Sequence, residues 1–160
     1  MDDLARLLAA HPFLDGLGRA HHAVLVGCTK NVRFQPGQFL LREGEEARTF
    51  YLLRAGRASL EVHVPGRGAV RVETVGAGDV LGLSWTRLDG ADPSLPPRVH
   101  LDARALDPVV ALALDGACLY RKMEADHELG YVLMKRLLAL TYHRLERVRL
   151  QRLDVYKASP

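Results

Sequence analysis

The sequence predicts a mainly β domain with flanking helices. Three observations carry that prediction. From Lys30 to about Leu114, apolar residues tend to alternate with polar ones, the period of half-buried strands. Glycine and proline break this stretch at short intervals, at Pro36-Gly37, Gly44, Ala55-Gly56, Pro65-Gly66-Arg67-Gly68 and Gly76, as in a sandwich or barrel. On either side of the stretch the period becomes 3.6, which marks helices.

In order along the chain, Asp2 or Asp3 can cap a short helix with Leu4, Leu7 and Leu8 on one face. His11-Pro12 stops it, because the residue before proline is pushed out of the helical region. A second helical piece covers about Arg19 to Cys28. Val32, Phe34, Phe39 and Leu41 then alternate around the turn at Gln35-Pro36-Gly37. Phe50 to Leu53, Ala58 to Val64 and Val70 to Val75 read as the next strands. Thr86 to Pro97 carries Gly90, Pro93, Pro96 and Pro97 and reads as a loop. Val99, Leu101, Ala103 and Ala105 alternate as a further strand, and Val109 to Leu114 is the last. After Asp115-Gly116 a short helix runs over 117–125, and a long one opens at Asp126 and reaches about Tyr156.

The long helix carries two apolar stripes. Leu129, Leu133, Leu137 and Leu140 form one; Met134, Leu138, Thr141, Leu145, Val148 and Val155 form the other. Two stripes make a face too wide for one partner. The expectation is that one lies on the barrel and the other meets a second helix. The remaining face, with Lys135, Arg136, Arg144, Arg147, Arg149 and Arg152, reads as solvated.

A chain of 160 residues suits one domain with a substantial core. At 48% hydrophobic and 26% charged it is globular rather than disordered. No apolar run approaches a membrane span, and the acidic start Met1-Asp2-Asp3 is unlike a secretory signal. Net charge of +3 is too small to argue for nucleic acid. Cys28 and Cys118 stand far apart and read as two buried free thiols, which suits a cytoplasmic protein. The seven histidines show no metal-ligand spacing, and neighbouring His21 and His22 point in different directions on a helix. No Gly-x-Ser-x-Gly, Walker loop or paired catalytic carboxylates appear, so the chain does not read as an enzyme.

One stretch has the composition of a ligand site. Gly76-Ala77-Gly78-Asp79-Val80-Leu81-Gly82-Leu83-Ser84-Trp85 places three glycines in an apolar run. Such a turn can aim several backbone N–H groups at one anion. Downstream, Pro96-Pro97-Arg98 can bring a guanidinium to the same place.

The run from Pro36 to Ala58 adds context. Gly37, Glu43-Gly44, Phe50-Tyr51 before Leu52-Leu53, and Gly56, continued by Gly76-x-Gly78-Asp79-x-Leu81-Gly82, fall in the order and spacing of the cyclic-nucleotide-binding domain. Over roughly residues 10 to 155 the chain resembles the sensor half of the Crp/Fnr regulators. That resemblance implies an eight-stranded double-stranded β-helix, or jelly roll, with short N-terminal helices and a long C-terminal helix. It places the jelly roll and its first helices in residues 1–125, and a dimerisation helix with its tail in 126–160, as one unit. It also implies that Phe13 and Leu14 plug one end of the barrel. The resemblance further places the family's phosphate-binding cassette at residues 78–98.

In that family a glutamate after the cassette glycine accepts from the ribose 2′-hydroxyl, and a later arginine neutralises the phosphate. Here Gly82 is followed by Leu83. Either Leu83 replaces the glutamate, or the glutamate is deleted and Leu83-Ser84-Trp85 matches what usually follows it. Both alignments lack the carboxylate. Arg98 fits by its Pro-Arg context, but the apolar phase after it is shifted by one from the family pattern, so either Arg98 or Pro97 points inward. Arg104, at the far end of that strand, is a poorer candidate. Trp85 either closes the pocket or packs in the core. The candidate ligand residues are thus Gly82, Leu83, Ser84, Trp85 and Arg98.

The expected ligand is a small anion, a cyclic nucleotide or another, rather than an obligatory cofactor or a metal. The expected partner is a second copy of the chain, paired through Leu138, Leu145 and Val148, with a further protein partner as an alternative if the pocket is vestigial. The resemblance places a helix-turn-helix after the long helix, whereas this chain ends at Lys157-Ala158-Ser159-Pro160. Sequence-specific DNA binding is therefore not expected, and a DNA-binding regulator is the weakest alternative.

Overall fold

A computed structural model describes residues 3–87 and 92–157, apart from the side chains of residues 155 and 156. Asp2 as a cap, Gly90 in the loop and the side chain of Val155 in the second stripe lie outside the described residues. The chain divides into two units, Met1–Lys122 and Met123–Pro160.

In the first unit, α1 (Asp3–Ala10), a one-turn helix Pro12–Leu14 and α2 (Arg19–Val26) precede the strands. The strands are β1 (Thr29–Phe34), β2 (Phe39–Leu41), β3 (Thr49–Ala55), β4 (Ala58–Val64), β5 (Gly68–Val75), β6 (Val80–Leu81), β7 (Asp102–Ala105) and β8 (Val109–Asp115). They form two four-stranded antiparallel sheets, ordered β1-β8-β3-β6 and β2-β7-β4-β5. Non-consecutive neighbours such as β1 and β8 are what a jelly roll requires. The eight strands and their flanking helices bear out the expected fold. The strand predicted from Val99 begins only at Asp102 in β7, and residues 97–99 instead pair with residues 44–47 through Ala47 N–H to Pro97 C=O (2.7 Å) and Val99 N–H to Glu45 C=O (2.8 Å).

Alternation sets the core. Leu53, Leu81, Val109 and Ala111 meet Leu40, Leu60, Val75, Ala103 and Ala105 in one buried cluster. On β4 the opposite face is polar yet also buried: Ser59 accepts from Arg71 Nε at 3.0 Å, and Glu61 accepts from Arg104 Nη2 at 2.5 Å. The buried carboxylate is thus paired, as burial demands.

The two cysteines correct the sequence reading. Cys28 and Cys118 form a disulfide, with Cα atoms 5.6 Å apart. The β1–β8 register puts Thr29 opposite Leu114, so the residues that flank these strands come together. The inference from free thiols to a cytoplasmic setting falls with that reading.

Phe13 stacks edge-on against Phe50 and Leu14 is fully buried. Before them stands His11, only 3% exposed. Its Nε2–H donates to the Leu53 carbonyl (2.9 Å) and its Nδ1 accepts from Phe13 N–H (3.2 Å). The neutral ring satisfies both bonds; a protonated ring loses the second. Burial accordingly holds the His11 pKa below its ordinary value, against the raising effect of the Leu53 carbonyl. The unfolded chain then binds a proton that the native chain does not. Stability should be level above about pH 6.5 and fall as pH drops below it, at up to about 1.4 kcal/mol per pH unit from this one group. Urea unfolding of the parent and of His11→Gln at pH 7.5 and pH 5 checks this: the variant should lose less over that interval.

In the second unit, the helix α4 (His127–Lys157) follows α3 (Gly116–Ala125), whose first turns belong to the first unit. Asp126 caps α4, accepting from Leu129 N–H at 3.2 Å. Leu129, Leu133 and Leu137 are buried, whereas Leu138, Leu145 and Val148 are exposed. The two stripes therefore differ in environment. No described helix is long and apolar enough to cross a membrane.

Candidate functional site

The glycine turn at residues 76–79 is closed on itself. Gly76 N–H donates to the Asp79 carboxylate (2.9 Å), Gly78 N–H to the Leu53 carbonyl (2.9 Å) and Asp79 N–H to the Gly76 carbonyl (3.0 Å). The expectation that this turn offers its amides to an anion is corrected. Asp79 is itself the anion that fills it.

Unused amides begin after Gly82. Gly82 sits at φ +84°, and a Cβ there would lie 2.5 Å from the Thr49 carbonyl oxygen, so only glycine fits. A one-turn helix, Ser84–Thr86, follows. It closes through Thr86 N–H and Thr86 Oγ1 to the Leu83 carbonyl and Arg87 N–H to the Ser84 carbonyl. Among the described residues, the amides of Leu83, Ser84 and Trp85 donate to no protein acceptor. Residues 83–87 read Leu-Ser-Trp-Thr-Arg, with no carboxylate among them.

Trp85 leaves this turn toward the interior. It is 5% exposed and its ring lies 5.8 Å from that of Phe50. Gly116 lets α3 start against it, since a Cβ at 116 would stand 2.8 Å from Trp85 Cβ. Beside this contact opens a cleft of about 600 Å³. Trp85, Arg87 and Pro97 of the cassette segment line one side; Asp115, Gly116, Ala117, Tyr120 and Arg121 at the start of α3 line another; Glu46, Ala47 and Arg48 complete it.

The charges in the cleft are unequal. Glu46 Oε2 accepts from Arg48 Nε and Nη2 (3.0 and 2.6 Å), which holds the Arg48 guanidinium firmly charged and pairs it. Asp115 Oδ1 accepts from Cys118 N–H (3.1 Å) and so caps α3. Among the described residues, Arg87 donates to neutral acceptors, the carbonyls of Pro93 (3.2 Å) and Leu95 (2.8 Å). Arg121 has no hydrogen-bond or ion-pair partner among the described residues.

The candidates from the sequence separate here. Trp85 lines the cleft. Gly82, Leu83 and Ser84 stand in the turn before it. Arg98 is exposed, with Nη1 on the Gly44 carbonyl at 3.2 Å, while Pro97 lines the cleft and Val99 is buried. Of the two registers left open, the structure takes the one with Pro97 inward. Arg104 is tied to Glu61. Sequence reasoning missed Arg48, Arg87 and Arg121, which come from three separate segments; Arg48, two residues before Phe50-Tyr51, and Arg87, two residues after Trp85, stood close to motif residues, and Arg121 did not. Among the described residues no cluster of His, Cys, Asp or Glu could hold a metal.

Two packed sheets, a glycine-opened cassette turn and a following α3–α4 pair define a cyclic-nucleotide-binding type of domain. A family model described as the cyclic nucleotide-binding domain matches residues 31–126, and the chain belongs to that family. It is similar to the solved structure of a cyclic nucleotide-binding protein from Geobacter metallireducens, with 25% identity and TM-score 0.74 over 91% of this chain and 99% of that one. A cyclic nucleotide-binding domain from Methylobacillus flagellatus aligns with TM-score 0.74 and 18% identity, over 94% of this chain and 81% of that one. The sensor domain of the transcriptional regulator DNR from Pseudomonas aeruginosa aligns with TM-score 0.68 and 19% identity, over 88% and 90%. No curated protein matches the chain.

Proposed function

We propose that this chain is a non-catalytic sensor or regulatory module that works as a homodimer and takes a small anion other than ordinary cyclic AMP. One observation carries the reading. Among the described residues, the cassette turn keeps free donors at Leu83, Ser84 and Trp85, and residues 83–87 hold no carboxylate to accept from a ribose hydroxyl. Donors without that acceptor suit an anionic head and reject a sugar. A site built around a hydroxyl loses on the order of 10² or more in affinity when its acceptor is gone.

Calorimetry with cyclic AMP and cyclic GMP tests this. Both should bind more weakly than about 10 μM. Tighter binding of either would show that the missing carboxylate does not matter.

A second reading has its own support. The exposed stripe on α4 favours a regulator that acts through its dimer surface or a protein partner while its pocket is vestigial. Complete indifference to small anions, with an intact dimer, would select that reading.

A further inference from the structure

We infer that the cleft between the cassette segment and the start of α3 is a binding site for a singly charged organic acid with an apolar body. This rests on the sensor reading above and names where the ligand sits and what it is.

The volume, about 600 Å³, lies in the range that holds small organic ligands. Charge selects the sign. Three guanidiniums face two carboxylates in the lining, which leaves one positive charge. Glu46 is spent on Arg48, and Asp115 on the first turn of α3. Arg87 and Arg121 have no carboxylate of their own among the described residues. One monoanion balances the site, and a dianion overshoots it.

Trp85 supplies the second, independent observation. Its indole Nε1–H is buried and has no acceptor among the described residues, although the residue forms part of the cleft wall. Buried donors are nearly always paired, and an orphan beside a cavity marks a place where an acceptor belongs. A carboxylate provides that acceptor and the negative charge in one group; because Nε1 itself is closed off from solvent, the bond forms only with a shift of the ring toward the cleft. The rest of the wall suits an apolar body: Pro97, Ala117 and the ring of Tyr120.

The chain has a single tryptophan, so its indole N–H gives one resonance that reports on this cleft alone. The probes are benzoate and its neutral counterpart benzyl alcohol, titrated into the full chain and followed by amide and indole proton–nitrogen correlation spectra. Benzoate should move the indole N–H downfield in a saturable manner, and benzyl alcohol should bind about ten-fold or more weakly, since it lacks the charge-assisted bond. Arg121→Gln, at an exposed position, should weaken benzoate by about the same factor without changing the rest of the spectrum. The cleft assignment fails if the indole stays still, if the alcohol matches the acid, or if Arg121→Gln binds benzoate as the parent does. Should benzoate move the Leu83 and Ser84 amides and not the indole, the cleft falls and the sensor reading stands. Should nothing move, the cleft falls as well, and the cyclic-nucleotide titration alone judges the sensor reading.

Discussion

Cys118→Ser should lower the unfolding free energy by about 4–5 kcal/mol. The Cys28–Cys118 bridge spans 90 residues. Cross-linking so distant a pair removes loop-closure entropy from the unfolded chain, about 4–5 kcal/mol for a loop of this length. A domain of ordinary stability holds only about 5–15 kcal/mol in total, so the variant should sit near its threshold. Urea unfolding of the parent, of Cys118→Ser and of the parent in a dithiol reductant checks the value. The reduced parent and the variant should agree, because both remove the same cross-link. A loss below about 1 kcal/mol in both would show that the bridge does not constrain the unfolded chain. The same argument applies inside a reducing compartment, where thiols displace disulfides. There the parent itself would show the lower stability. The bridge also fixes the first turn of α3, where Asp115 caps Cys118, and that turn is one side of the cleft.

What the sequence discloses follows from how local each feature is. Strands β3, β4, β5 and β8 were legible because a period of two over several residues has few other meanings. The long helix was legible for the same reason, its observed span His127–Lys157 lying within one residue of the expected one at each end. The disulfide was not, because nothing near Cys28 announces Cys118. Only the pairing of β1 with β8, a topological fact, brings them together. The glycine turn shows a subtler limit. Its residues were identified correctly, but whether its amides face a ligand depends on one rotamer, that of Asp79, whose carboxylate takes the Gly76 N–H. For Arg98 the decisive signal was present. The apolar phase at Val99, Leu101 and Ala103 is the one the structure follows, and it turns Arg98 outward. The motif context pulled toward the other register, and core burial decided against it. The cleft was invisible for a further reason: Arg48, Arg87 and Arg121 are each ordinary surface arginines until the fold collects them.

Val148→Asp should convert the proposed α4-paired homodimer to a monomer. On α4, Leu138 is 71% exposed, Leu145 47% and Val148 53%. With Thr141 between them they follow the alternating three- and four-residue steps of a coiled-coil seam. Thr141 does not oppose burial, since its hydroxyl already donates to the Leu137 carbonyl at 2.8 Å. A second copy presents the same stripe, and two-fold pairing places each residue near its own twin. One substitution therefore puts two carboxylates into the seam. An unpaired buried charge costs about 3–5 kcal/mol, so the pair should weaken the dimer by 10³-fold or more, an order-of-magnitude figure. Aspartate is the better probe because its short side chain cannot carry the charge out to water as a longer one does. In the single chain position 148 is half exposed, so the monomer should keep its helix and its fold. Light scattering at tens of micromolar, with circular dichroism on the same samples, reads both. The parent should have twice the mass of the variant at equal helix content. A monomeric parent, or a dimeric Val148→Asp, would place the contact elsewhere. Val148→Leu, which keeps the seam apolar, should remain a dimer and separates loss of charge compatibility from loss of shape.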